Sequence, residues 1–184
     1  MKRTKAEYEN DVNSILVGRR LAGVRYFEIR YHTDKPNYQD DSFQGHHLDY
    51  GCDLEMEDGS TVGIVWDGEF FQYGIGILRS SLSSQLTDFM SWDVTANQYW
   101  APLIGKAVNE VKVYWSWARY EGREIKEYPQ DLEVAFEDGS KIYLSASQYN
   151  EETDTLWGMS DDVAVVFSLD IAKRYCIGPY ADNN

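Results

Sequence analysis

The stretch Met56-Glu57-Asp58-Gly59-Ser60-Thr61-Val62-Gly63-Ile64 returns as Phe136-Glu137-Asp138-Gly139-Ser140-Lys141-Ile142-Tyr143-Leu144, 80 positions later. An Asp-Gly pair between alternating apolar residues marks a β-hairpin, because glycine accepts positive φ at no steric cost. Upstream, Leu16-Val17-Gly18-Arg19-Arg20-Leu21-Ala22-Gly23-Val24 returns as Leu103-Ile104-Gly105-Lys106-Ala107-Val108-Asn109-Glu110-Val111, offset by 87. Two matched blocks in the same order signal an internal repeat. The fall in offset gives the first copy a connection 7 residues longer between its blocks.

Around these blocks the pattern extends in both directions. Thr4 and Glu7 have the spacing of a capping box, and Tyr8, Val12, Ile15 and Leu16 recur at helical intervals, with Gly18 as the stop. Alternation then predicts strands at 24–29, 52–56, 62–66 and 70–78, separated by a polar connection from His32 to Gly51. In the second half, Leu82, Leu86, Phe89 and Met90 share a helical face and predict a linking helix over about 81–93. Residues 95–101, closed by Pro102, are expected to form a short counterpart of the first helix. Strands are expected near 108–118, 130–136, 141–148 and 162–168, and Asp170 is the expected N-cap of a last short helix.

The fold expectation is therefore α+β, mainly β. It has two tandem repeats, each a leading helix plus about four antiparallel strands, packed with pseudo-two-fold symmetry. Sandwich, open barrel and continuous curved sheet all satisfy the pattern. Half a chain of this length buries too little surface to stand alone, so residues 1–184 are taken as one domain. Repeat 1 covers about 4–80 and repeat 2 about 94–178.

With 31 acidic and 17 basic residues, the chain carries a net charge of -14. That disfavours nucleic acid and anionic membranes, and favours a basic protein partner. Residues 1–15 lack an apolar core, and no run approaches the length of a membrane span, so a cytoplasmic location is expected. Cys52 alternates with Leu54 and Met56 as a core residue would, and Cys176 sits near a C-terminal turn. Whether the two pair is left open by their spacing.

No nucleophile elbow, zinc-protease motif or catalytic cysteine context occurs, and Gly74 and Gly76 lack the third glycine of a dinucleotide fingerprint. No cofactor is called for, and the balance leans away from an enzyme. His32, His46 and His47, with Asp34, Asp40, Asp41 and Asp49, are weak candidates for a metal site, because imidazoles with carboxylates suit a divalent ion. Trp115 and Trp117 lie two apart on one strand and so share a face, with Tyr114 on the other; Trp92, Tyr99 and Trp100 cluster between the halves. Core packing is the ordinary use of such rings, but Trp and Tyr also anchor interfaces. Glu151-Glu152-Thr153-Asp154 and Ser160-Asp161-Asp162 could supply an acidic rim. Trp115, Trp117, Asp161 and Asp162 are accordingly the candidate partner-binding residues.

Tyr128-Pro129-Gln130-Asp131-Leu132-Glu133-Val134, the Glu-Asp-Gly-Ser turn, Leu144-Ser145-Ala146 and Leu156-Trp157-Gly158-Met159-Ser160-Asp161-Asp162 resemble a family of small bacterial proteins. Some of these look like immunity proteins of polymorphic-toxin systems. The resemblance spans about 100–178 and implies an intracellular bacterial protein that binds and neutralises a toxin, which the acidic charge would make a cationic one. It carries no catalytic motif and no site residues. A small-ligand domain with an aromatic cleft between the repeats is the alternative, and a metal-dependent enzyme using His32 to Asp49 the third reading.

Overall fold

Both Glu-Asp-Gly-Ser segments close hairpins in the computed structural model, which describes residues 3–31, 35–39, 42–118 and 126–181. Gly59 has φ +81° and Gly139 φ +86°, a region that a side chain would strain. The preceding aspartate locks each turn: Asp58 Oδ1 accepts the Ser60 N–H at 2.9 Å, and Asp138 Oδ1 accepts that of Ser140 at 3.0 Å. These turns join β3 (Gly51–Met56) to β4 (Thr61–Asp67) and β8 (Lys126–Phe136) to β9 (Lys141–Asn150).

The chain is α+β and mainly β, with two antiparallel sheets of five strands each. With β1 (Leu21–Ile29), β5 (Gly74–Leu78) and β6 (Phe89–Asp93), the first sheet has the order β5-β4-β3-β1-β6. With β2 (His46–Leu48), β7 (Val108–Ala118) and β10 (Thr155–Val166), the second has the order β2-β10-β9-β8-β7. Each sheet thus holds four meandering strands and one addition. The matched sequence blocks also meet. Gly18 N–H donates to Val108 O (2.8 Å) and Gly105 N–H to Leu21 O (2.7 Å), while Leu21 N–H donates to Lys106 O (3.0 Å) and Val108 N–H to Arg19 O (2.8 Å).

The expected linking helix over 81–93 is not formed. A 3-10 turn (Leu82–Ser84) is followed by β6, whose register against β1 runs from Arg25↔Asp93 to Ile29↔Phe89. The buried Asp53 carboxylate takes the Leu82 N–H at 2.9 Å, and Asp88 adopts φ +54°, which ends any helical run. The chain then satisfies the open edge of β1, a demand that local periodicity does not report. No α-helix leads the second half either: 95–100 are turns, and only Ala101–Leu103 forms a 3-10 turn, with Pro102 within it. The final helix, α2 (Leu169–Arg174), is capped by Ser168, not Asp170. The strand expected from 70 begins at Gly74.

Helix α1 (Lys5–Leu16) forms as its capping box predicts, with Thr4 and Glu7 exchanging hydrogen bonds. Its buried Tyr8, Val12, Ile15 and Leu16 join one core with Val24, Tyr26, Leu54 and Ile64 from the first sheet and Leu132, Val134, Leu144 and Val165 from the second. Fully burying each such side chain contributes about 1.5–3 kcal/mol, so the two sheets are bound by a shared apolar interior. Cys52 lies in that interior and Cys176 is exposed; both are free thiols.

The long connection acts as a strap from one sheet to the other. Glu28 on β1 is buried and accepts the Asn37 N–H (3.1 Å) and the Trp92 indole N–H (2.5 Å). The chain then delivers β2 to the edge of the second sheet, pairing His46 with Val165 and Leu48 with Val163. His46 is 1% exposed, ringed by Tyr26, Tyr38, Tyr99 and Phe167. The indole of Trp100 donates to Tyr26 Oη at 2.5 Å, and that hydroxyl lies 2.7 Å from His46 Nδ1. Indole N–H only donates, so among the described residues Nδ1 is the one acceptor within reach of the phenol proton. That arrangement makes His46 the neutral Nε2–H tautomer, whose buried Nε2 has no partner among the described residues.

Burial pushes His46 from 6.5 down to about 4. Its contribution to stability is complete above pH 6.5 and drains away as pH falls through 4, because the unfolded chain takes the proton first. At 1.36 kcal/mol per pKa unit, the loss is of order 3 kcal/mol. Tyr26→Phe would strand both the Trp100 indole and His46 Nδ1, and unpaired buried groups cost about 1–3 kcal/mol each. Urea unfolding at pH 7.5 is expected to show a loss of about 3 kcal/mol for this variant; wild-type stability would dissociate the triad from the fold.

Candidate functional site

Where the strap crosses between the sheets it forms one wall of an open cleft of about 330 Å³. Asp49, just beyond β2, organises the first-sheet side. Its Oδ2 accepts the Ile29 N–H and its Oδ1 the Tyr31 hydroxyl, both at 2.9 Å. Its carbonyl accepts the Trp66 indole N–H at 2.8 Å, and Tyr73 packs edge-on against that indole at 5.3 Å. Tyr31 and Trp66 therefore enter the cleft with their polar tips already engaged. Burial and the Asp49 carboxylate raise the Tyr31 phenol to about 12, so it stays neutral.

The second-sheet side is built by a break in β10. Gly158 pairs with Ser147 and Val163 with Ala146, so residues 159–162 are extruded between neighbouring pairs. Gln130, itself the extra residue of β8 opposite Tyr114 and Trp115, pins this bulge. Its amide NH2 donates to Ala146 O (2.8 Å) and to the hydroxyls of Ser145 and Ser147 (3.1 Å each), and its oxygen accepts the Met159 N–H at 3.0 Å. The bulge brings Asp161 and Asp162 to the cleft, where Asp162 is only 8% exposed and its Oδ2 lies 3.3 Å from His47 Nε2. Ile29, Tyr50 and Gln148 complete the lining, which contains no lysine or arginine among the described residues. Trp157, 55% exposed, stands opposite Gln148 in the β9–β10 register and so flanks the cleft on the same face.

Of the candidate partner-binding residues, Asp161 and Asp162 line this cleft and Trp115 and Trp117 do not. Trp115 packs edge-to-face on Tyr8 and Phe70, donates its indole N–H to Glu9 at 2.8 Å and lies under the Lys5 ammonium. Trp117 is 60% exposed, opposite Glu127. Trp92 and Trp100 serve Glu28 and Tyr26, and Tyr99 stacks on Phe167. Of the acidic run Glu151-Glu152-Thr153-Asp154, Asp154 docks α2, accepting from Arg174 and from the hydroxyls of Tyr175 and Tyr149.

Among the metal candidates, His47 and Asp49 face the cleft, while His46 is enclosed in the core with Nδ1 engaged. His32, Asp34, Asp40 and Asp41 lie outside the described residues. Among the described residues, no three His, Cys, Asp or Glu side chains converge as an ion would require. Tyr31, Trp66, Gln148 and Trp157 were not singled out in the sequence. The one local signal is the alternation in His46-His47-Leu48-Asp49, which turns His47 away from the core.

A smaller hollow of about 150 Å³ is lined by Tyr114, Trp115, Gln130, Asp131 and Gly178. The Asp131 carboxylate is buried there and accepts the Gly178 N–H at 2.8 Å, which ties down the C-terminal segment. Burial raises Asp131 from 3.8 to about 6, against hydrogen bonds from Ser145, Gly178 and Gln130. Its charge therefore opposes folding above pH 6, and the penalty is relieved as pH falls towards 3.8. Asp131→Asn keeps the acceptor for Gly178 and removes the charge. The variant is expected to unfold later than wild type at pH 7.5, by up to about 3 kcal/mol, with the advantage gone at pH 4. A variant less stable at pH 7.5 would show that the ionised form is the one the fold needs.

No family model matches the chain, and no curated protein or solved structure matches it. No helix among the described residues is long and apolar enough to cross a membrane.

Proposed function

We propose that this is a non-enzymatic binding protein whose inter-sheet cleft receives a cationic group of a basic protein partner. The observation that carries this reading is the presence of Asp49, Asp161 and Asp162 in one lining with Tyr31, Tyr50 and Trp66, with no basic residue but His47 among the described lining residues. Carboxylates held among aromatic surfaces attract a cation electrostatically and desolvate it against the rings. The net charge of -14 extends that attraction to longer range and speeds encounter.

An immunity protein that masks a cationic toxin in the bacterial cytoplasm fits this chemistry, since such an inhibitor needs complementarity and no catalytic group. The resemblance through Leu156 to Asp162 adds weight, because that segment contains the bulge that presents Asp161 and Asp162. The same proposal takes the chain as a duplicated unit arranged about a pseudo-two-fold axis. Its support is the exchange of bonds between matched positions: Gly18 with Val108 against Gly105 with Leu21, and Leu21 with Lys106 against Val108 with Arg19.

The test is capture by the tagged protein from its native lysate, beside an Asp161→Asn, Asp162→Asn double variant whose folding is checked by circular dichroism. A basic protein is expected to be held by wild type at low salt, released as salt rises, and bound at least about tenfold more weakly by the variant. Equal retention by both proteins would remove the cleft from recognition. Recovery of no protein while small organic cations bind would instead favour a small-ligand domain.

A further inference from the structure

Resting on that reading of the cleft, we infer that the group it receives is a guanidinium, the side chain of a partner arginine, and not an ammonium. Acceptors dominate the lining, and the donors are largely engaged. The Trp66 indole N–H and the Tyr31 hydroxyl are both directed to Asp49. Among the described residues, Asp161 has only the long contact from the Ser160 hydroxyl, at 3.5 Å. Asp162 is the decisive group. It is 8% exposed, lines the cleft, and accepts no hydrogen bond from any described residue; the His47 imidazole Nε2 lies 3.3 Å from its Oδ2. Its carboxylate keeps a narrow exposure to the cleft, 12% of the side chain, and its acceptor sites are not taken by a donor among the described residues, so an N–H group that enters the cleft can bond to it.

Two features favour a guanidinium as that donor. It carries five N–H groups in a rigid planar fork, against three on an ammonium, and so can serve Asp161 and Asp162 together. Its plane also stacks on aromatic faces, and the rings of Trp66 and Tyr31 are held in place by bonds to Asp49 before any ligand enters. An ammonium would meet the carboxylates as a point charge and leave the ring surfaces wet. Trp157 and Ile29, both exposed beside the cleft, would then cover the aliphatic part of the same residue.

The experiment compares two probes on the whole chain: N-acetyl-arginine methylamide and N-acetyl-lysine methylamide, titrated into 15N-labelled protein. The Trp66 indole N–H resonance reports on the cleft directly. The arginine probe is expected to bind at least about fivefold more tightly, the equivalent of one added ring contact. Its shifts should centre on Trp66, Tyr31 and Gln148, and Asp162→Asn should abolish them. Equal affinity for both probes would overturn the guanidinium assignment while leaving a cation-binding cleft intact. Shifts from neither probe at these residues would overturn both. The wild-type comparison needs no variant, so a folding defect in Asp162→Asn cannot decide the outcome.

Discussion

A donor that cannot accept sets the direction of a hydrogen-bond chain at the centre of this fold. The Trp100 indole N–H donates to the Tyr26 hydroxyl, which is left to direct its own proton at His46 Nδ1. The three residues come from three places: the turn before β7, the first sheet, and the strap that edges the second sheet. Trp100 is among the largest fully buried side chains, so this chain closes inside the core and not on the surface. Much of the rest follows. Fixing His46 inward on a three-residue strand turns His47 outward, and Asp49 then lands within reach of Ile29, Tyr31 and Trp66.

The cleft therefore arises from irregularities imposed on two regular meanders. One is the strap, which lends a strand of the first half to the second sheet. The other is the pair of register breaks at Gln130 and at residues 159–162, which are coupled through a single amide side chain. Regular strands would have alternated Asp161 and Asp162 to opposite faces; the extruded segment brings both to one opening. Bulges of this kind commonly re-aim side chains at functional sites.

What could be seen in the sequence divides along local and non-local physics. The two hairpins and the first helix were legible because Asp58, Gly59, Asp138, Gly139, Thr4 and Glu7 act on their own neighbours. The segment 81–93 was not, since Leu82, Leu86, Phe89 and Met90 fit a helix locally while the open edge of β1 claims the backbone. The same holds for the site. Asp161 and Asp162 stood out as an acidic pair, and His47 and Asp49 as polar residues of the long connection. Their meeting with Tyr31, Trp66 and Gln148 depends on sheet order and on two bulges, which no spacing encodes. Trp115 and Trp117 share a strand face as alternation requires, yet burial differs between them because α1 covers only the first.

The most direct measurement is the protonation state of His46, followed through its ring nitrogens by long-range 1H–15N correlation from pH 7.5 to 4. The account predicts a neutral ring with the proton on Nε2 that persists to about pH 4. An imidazole that carries its proton on Nδ1, or that gains a second proton near pH 6.5, would contradict the Trp100–Tyr26–His46 chain and the placement of the strap that depends on it.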